Sequence, residues 1–216
     1  MIQPAIRPKP RMRGVFHEWA CVVSVPLGVA LVLVTDTTRG RVAAAVFAAS
    51  VVAMFGASAL YHRPTWSPAW RARLGRIDHA GIYCLIAGTY TPVGLLVLRG
   101  NWRITVLAIV WGGAAMAITL KFVWPKAPKW VAVVVGISLG WVGIVVFPQL
   151  ISRAGLACAL LILAGGVAYS VGAVVYARRR PDPFPAVFGY HEIFHILVVI
   201  AVALQYSAIA FFILPT

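Results

Sequence analysis

Seven apolar runs, each near the length that crosses a bilayer, constrain this chain more than any other feature. They cover about residues 17–35, 41–62, 78–98, 103–122, 130–147, 155–177 and 190–213. A hydrocarbon core of ~30 Å takes roughly 20 residues at 1.5 Å each in a helix. The runs are too long and too poorly alternating for strands, so each reads as a helix. Composition agrees, with 62% of residues hydrophobic and 11% charged, against about 45–50% and about 25% in soluble domains. That excludes an ordinary soluble domain, a disordered chain and a disulfide-rich secreted fold. The expected architecture is an all-α membrane protein: a single seven-transmembrane helix bundle over residues 1–216, with no internal repeat or low-complexity tail.

The 19 Lys and Arg against 5 Asp and Glu give a net charge of +14. Nucleic-acid binders carry such charge on a solvated surface, which a chain this apolar lacks, so no nucleic-acid partner is expected. The positions of the basic residues are more informative. Arg7, Lys9, Arg11 and Arg13 precede the first run, and Arg63, Arg71, Arg73 and Arg76 separate the second and third. Lys121, Lys126 and Lys129 lie between the fourth and fifth, and Arg178, Arg179 and Arg180 between the sixth and seventh. These fourteen share one side, whereas Arg39, Arg41, Arg99, Arg103 and Arg153 share the other. The positive-inside rule then puts the N-terminus in the cytoplasm and the C-terminus outside, in a multi-pass protein of the cell (plasma) membrane.

The first run follows basic residues as a signal peptide would. It is longer than a secretory core and lacks a small-x-small cleavage site, so it is expected to be a retained helix. Cys21, Cys84 and Cys158 lie in separate apolar stretches and read as small buried hydrophobes. In the segment between runs two and three, Trp66, Trp70, Leu74 and Ile77 keep a helical spacing with Arg71, Arg73 and Arg76 off that line. Two readings stand: a short helix in the headgroup layer, or an irregular loop with two interfacial tryptophans. Gly88-Thr89-Tyr90-Thr91-Pro92 reads as a proline kink whose freed carbonyls are met by neighbouring hydroxyls.

Ionisable groups inside a span are costly and mark a functional site by default. Asp36 and Asp182 fall in loops and read as solvated. The rest gather at one depth: His62 ends the second span, Asp78 opens the third, and His191 and His195 occupy the first turns of the seventh. Four apart, His191 and His195 share a helix face with Cβ atoms roughly 5–6 Å apart, close enough to hold one metal ion. Three neutral imidazoles suit zinc and leave a fourth tetrahedral position for water. The competing reading is interhelical hydrogen bonding without metal. Ser58, one turn from His62, either orients that water or an oxyanion, or bonds its own helix backbone. Asp78 is placed to hold the water and take its proton. His17, Glu18, His79 and Glu192 lie at the same depth, either fixing ring orientations from outside the ligand set or facing the headgroups.

Ser58-Ala-Leu-Tyr-His62, Asp78-His-Ala-Gly-Ile-Tyr running on to Ala87-Gly-Thr-Tyr-Thr-Pro92, and His191-Glu-Ile-Phe-His195 resemble the signature blocks of the hemolysin III family. His17-Glu18 followed by Pro26 resembles that family's opening. The family is the bacterial branch of the progestin and adipoQ receptor group, which includes the adiponectin receptors, and is more distantly similar to alkaline ceramidases. The resemblance implies a seven-helix bundle with zinc near the cytoplasmic face on His62, His191 and His195, with Asp78 holding the metal water and Ser58 beside it. It makes a zinc-dependent hydrolase of lipid amides the first expectation, with membrane lipids as partners and an acyl chain as substrate or ligand. A non-enzymatic sensor or regulator of lipid state with structural zinc is the alternative. A cytolytic pore ranks last, because no span carries a polar stripe.

Overall fold

Apolar length becomes helix throughout. The computed structural model describes residues 9–125 and 127–215 apart from the side chain at position 129. Arg7, Lys126 and the Lys129 side chain, which count toward the charge asymmetry, lie outside the described residues. The helices are α1 (Val15–Leu33), α2 (Thr38–His62), α3 (Pro68–Pro92), α4 (Asn101–Val123), α5 (Lys129–Trp141), α6 (Phe147–Arg178) and α7 (Tyr190–Ala208). Among the described residues there is no strand, and six helical stretches are long and apolar enough to cross a membrane.

One of those six, Trp130–Arg178, holds 49 residues and would measure about 70 Å if straight, over twice a hydrocarbon core. It is not straight. The Trp141 indole N–H donates to Ser170 Oγ at 3.0 Å across 29 residues of sequence, so the chain has turned back on itself. The turn is made by a 3₁₀ segment, Val142–Val146, and by Gly155, whose φ of 85° and ψ of 162° break the helix. The fifth and sixth apolar runs are thus joined by helical residues across the gap at 148–154 that separates the runs in the sequence. Pro148 fits that helix because it sits in the first turn of α6, where no backbone N–H is needed.

A second difference lies at α3, which begins at Pro68, ten residues ahead of the third apolar run. The Ser67 hydroxyl caps it by accepting from Trp70 N–H at 3.4 Å, and Pro68 fits the first turn. The segment carrying Trp70, Leu74 and Ile77 is therefore helical and continuous with the following span. Arg71 lies over the Tyr61 ring and Arg73 over the Trp70 ring, each 5.4 Å from the centroid. At the other end Pro92 gives no N–H, and the helix relaxes into a π turn at Val93–Val97. Thr89 and Thr91 hydroxyls donate to the Leu85 and Ala87 carbonyls at 2.9 Å, the carbonyls four residues back, and not to the Gly88 carbonyl that Pro92 leaves without its N–H. Helix α7 relaxes in the same way at Ile209–Ile213.

Large apolar residues point outward: Leu33, Val123 and Phe211 are 70–76% exposed. The interior combines Phe47 and Phe55 with small residues such as Ala43, Ala44 and Ala87, which let helices approach closely. A close approach joins α2 and α3, where a Cβ on Gly88 would lie 2.1 Å from Ser50 Oγ and 2.5 Å from Ser50 Cβ. Gly88→Ala is therefore expected to cost about 1–3 kcal/mol by forcing the helices apart. Gly112→Ala, with nothing within 4 Å of the added carbon, should be neutral or gain up to about 1 kcal/mol of helix propensity. Unfolding of both variants in mixed detergent micelles measures the contrast, and equal stability would refute the tight contact.

Candidate metal centre

The 3.6-residue period of α2 puts Ser58 and His62 on one face at the end of the helix. Helix α7 starts at Tyr190, and the Glu192 carboxylate accepts from Gly189 N–H at 2.8 Å, closing the first turn. His191 and His195 then fall in the first two turns, on the face turned to α2. His62 Nε2 and His191 Nε2 lie 3.2 Å apart. Ring centroids of His191 and His195 are 4.6 Å apart, and those of His62 and His195 are 5.1 Å apart. All three residues are buried, and one ligand nitrogen from each lies within 4.8 Å of the others.

Asp78, near the middle of α3, brings Oδ2 to 3.6 Å from His62 Nε2. Ser58 is buried and does not bond back to its own helix. Its Oγ shares a hydrogen bond of 2.8 Å with His17 Nδ1. His17, in the first turn of α1, lies face to face with His195, with centroids 3.8 Å apart and ring planes 8° apart. Periodicity within single helices predicts the His191–His195 and Ser58–His62 pairings. It carries no signal for the contact of α1 with α7, which puts a fourth imidazole in the cluster.

The other residues at this depth are occupied elsewhere. Glu18 pairs with Arg63 at 2.7 Å, and both are substantially exposed. His79 Nδ1 meets the Gly75 carbonyl of its own helix. Glu192 is fully buried, with Oε1 2.5 Å from Arg13 Nε. That pair fastens the segment before α1 across the histidine end. Arg11 and Met12 N–H groups donate to the Ala186 and Val187 carbonyls at 3.1 Å, and Lys9 Nζ donates to the Arg63 carbonyl at 2.7 Å. Partial burial, followed by the Arg63, Arg71 and Arg13 charges, holds the Lys9 ammonium below its ordinary pKa. Gly14 crosses directly over α2 with φ of 83°, and a Cβ there would meet His62 Cβ at 2.7 Å. Only glycine meets both requirements.

The residues present fit a divalent metal. Ligand nitrogens about 2.0–2.1 Å from a tetrahedral zinc stand roughly 3.3 Å apart, close to the His62–His191 separation. His195 Nδ1 is buried with no hydrogen-bond partner among the described residues, a costly condition for a ring with nothing to bind. Neutral imidazoles beside a carboxylate are donors of the type that zinc takes. Aromatic rings of Tyr176 and Phe194 pack around His191 and help to fix its plane.

Helices of this length and this site define an all-helical membrane protein with a buried three-histidine cluster able to hold a metal ion. The chain belongs to the haemolysin-III related family, whose sequence profile matches residues 6–206. It is 31% identical over 206 residues to hemolysin-3 of Bacillus cereus, covering 94% of this chain and 91% of that protein. It is 32% identical over 203 residues to the hemolysin-3 homolog of Bacillus subtilis (strain 168), covering 92% of each. An adiponectin receptor protein of Drosophila melanogaster is 26% identical over 231 residues, covering 90% of this chain and 48% of the receptor.

Proposed function

We propose that this protein is a zinc-dependent hydrolase of lipid amides, similar to ceramidases. It acts as one seven-span unit of the plasma membrane with its N-terminus and metal centre at the cytoplasmic face. The reversal between Trp141 and Ser170 supports a seventh crossing, since it divides the longest apolar stretch into two antiparallel passes. The excess of basic residues that the sequence groups at the helix ends carrying the histidines supports the orientation.

One observation carries the enzymatic reading: three buried histidines lie within ligand distance of one another, with a carboxylate at their edge. A site with three protein ligands keeps a position open, as catalytic zinc sites do. We assign the ligand roles to His62, His191 and His195. When bound, zinc there would supply Lewis acidity, polarising a carbonyl and bringing the pKa of a water to about 7. Asp78 would accept the proton of the attacking water and pass it to the amine as the amide C–N bond breaks. The Ser58 hydroxyl would donate to the carbonyl oxygen as negative charge grows on it. The apolar outer faces of the helices would admit an acyl chain sideways from the bilayer.

The test uses purified protein in lipid nanodiscs with labelled ceramide and related amides, against His195→Ala. Zinc-dependent release of fatty acid is expected from the wild type, lowered by at least about 100-fold in the variant. No turnover under any condition would sink the enzymatic reading.

A second reading, a lipid sensor whose zinc braces the helix ends, is favoured by one feature. A cavity of about 60 Å³ between α3, α5, α6 and α7 is lined by Thr89, Tyr90, Trp141 and Gln205 and by none of the histidines. It is well short of the ~300 Å³ of an ordinary small-molecule site. On that reading chelation lowers the melting temperature and alters membrane lipid state while no product forms. The relatives' name suggests lysis, and leakage of liposomes at low protein-to-lipid ratio would support that third activity.

A further inference from the structure

Ser58 differs from five other serines of this bundle, which bond back to their own helix. Ser24, Ser50 and Ser152 donate to carbonyls three residues back, and Ser170 and Ser207 to carbonyls four residues back. That is the ordinary fate of a serine in an apolar helix. Ser58 Oγ instead lies in hydrogen-bond contact with His17 Nδ1 of α1 at 2.8 Å and also meets the Asp78 carboxylate. His17 is itself 2% exposed, and its Nε2 is buried with no partner among the described residues. Its ring makes the face-to-face contact with His195, whereas the other histidine contacts in the cluster are edge-on or tilted. One residue outside the ligand set therefore grips a ligand by its ring face and the neighbouring hydroxyl by Nδ1.

We propose that His17 is a positioning residue of the metal centre, holding the His195 ring by stacking and the Ser58 hydroxyl by its Nδ1 hydrogen bond. This rests on the metal reading given above. Without His17 the Ser58 hydroxyl would keep the Asp78 carboxylate but lose the partner that fixes its orientation from α1. The His195 ring would lose the flat surface that sets its plane. Partners of this kind outside the ligand set are worth 10–100-fold in metal affinity.

The test compares wild type, His17→Phe, His17→Asn, Ser58→Ala and the double variant His17→Phe/Ser58→Ala as purified protein loaded with cobalt or zinc. Readouts are the cobalt visible spectrum, the rate of metal release to a chelator, and the melting temperature. His17→Phe keeps a ring against His195 but has no Nδ1. It should release metal about tenfold faster with an altered cobalt band. Ser58→Ala should match it, and the double variant should add nothing, because both cut the same hydrogen bond. His17→Asn, whose amide stands where Nδ1 stood, should keep the Ser58 contribution while losing the stack. A side chain that only fills space would leave His17→Phe with the wild-type release rate and spectrum, and that result, or additive losses in the double variant, overturns the proposal. If His17→Phe cannot be purified folded, Ser58→Ala decides, and a wild-type release rate there overturns it equally. Wild-type protein that takes up neither metal defeats the metal reading and this inference together. Uptake by the wild type with an unaltered His17→Phe defeats the inference alone.

Discussion

Replacing His62 with alanine is expected to empty the metal centre and to loosen the bundle. His191 and His195 both stand on α7, so His62 is the one histidine of the three that ties α2 to α7. Two imidazoles on one helix turn still bind a divalent metal, but without cross-linking two helices. Metal affinity should fall by more than the 10–100-fold that loss of an outer partner brings. Metal at a thousand times its dissociation constant stabilises the folded state by about 4 kcal/mol, and a chain of this size melts about 2–4 °C lower per kcal/mol lost. A drop of about 8–16 °C is therefore expected on chelation of the wild type, with little further drop on chelation of His62→Ala. His79→Ala is the control. That histidine meets its own helix at Gly75, so its removal should leave metal content unchanged. Elemental analysis of dialysed protein and melting with and without chelator measure all of this. Equal melting of wild type with and without chelator would falsify the metal reading for both hydrolase and sensor.

How much of this centre was legible in the sequence follows from what periodicity can encode. Spacing within a helix states which residues share a face, and the ends of apolar runs state their depth. Together these brought His62, Asp78, His191 and His195 to one level, and the structure brings the three histidines within ligand distance. Neither spacing nor depth says which face of one helix meets which face of another. That depends on local volumes, such as the absent side chain of Gly88 against Ser50, and on the path of the connecting segments. So the stack of His17 on His195, set by the rotation of α1 against α7, left no trace in the spacing. Glu192 was visible as a polar residue at the right depth, but its partner Arg13 stands 179 positions away. Helix boundaries failed for another reason. Residues 68–77 and 148–154 are too polar or too short to read as spans, yet a helical neighbour on one side spares them the cost of nucleation.

The ion pair of Arg13 with Glu192 should show an asymmetry that contact alone would not suggest. Glu192 is fully buried, while the Arg13 side chain is 19% exposed, so the two partners differ in what happens when left alone. Arg13→Met strands a carboxylate that keeps the Gly189 N–H and little else, and breaking a buried pair this way costs about 3–5 kcal/mol. Glu192→Gln leaves a guanidinium that can turn toward water, and its amide oxygen can still accept from Gly189, so a cost of about 1–3 kcal/mol is expected. The double variant Arg13→Met/Glu192→Gln should be more stable than Arg13→Met, since no unpaired buried charge remains. Because the pair fastens the segment that runs over His62, proteolysis before Val15 should quicken in Arg13→Met as stability falls. Denaturation in mixed micelles gives the three stabilities. Arg13→Met within about 0.5 kcal/mol of wild type, the range of an ordinary surface substitution, would mean that the Glu192 carboxylate does not depend on Arg13 and that the segment is held by its backbone bonds to Ala186 and Val187.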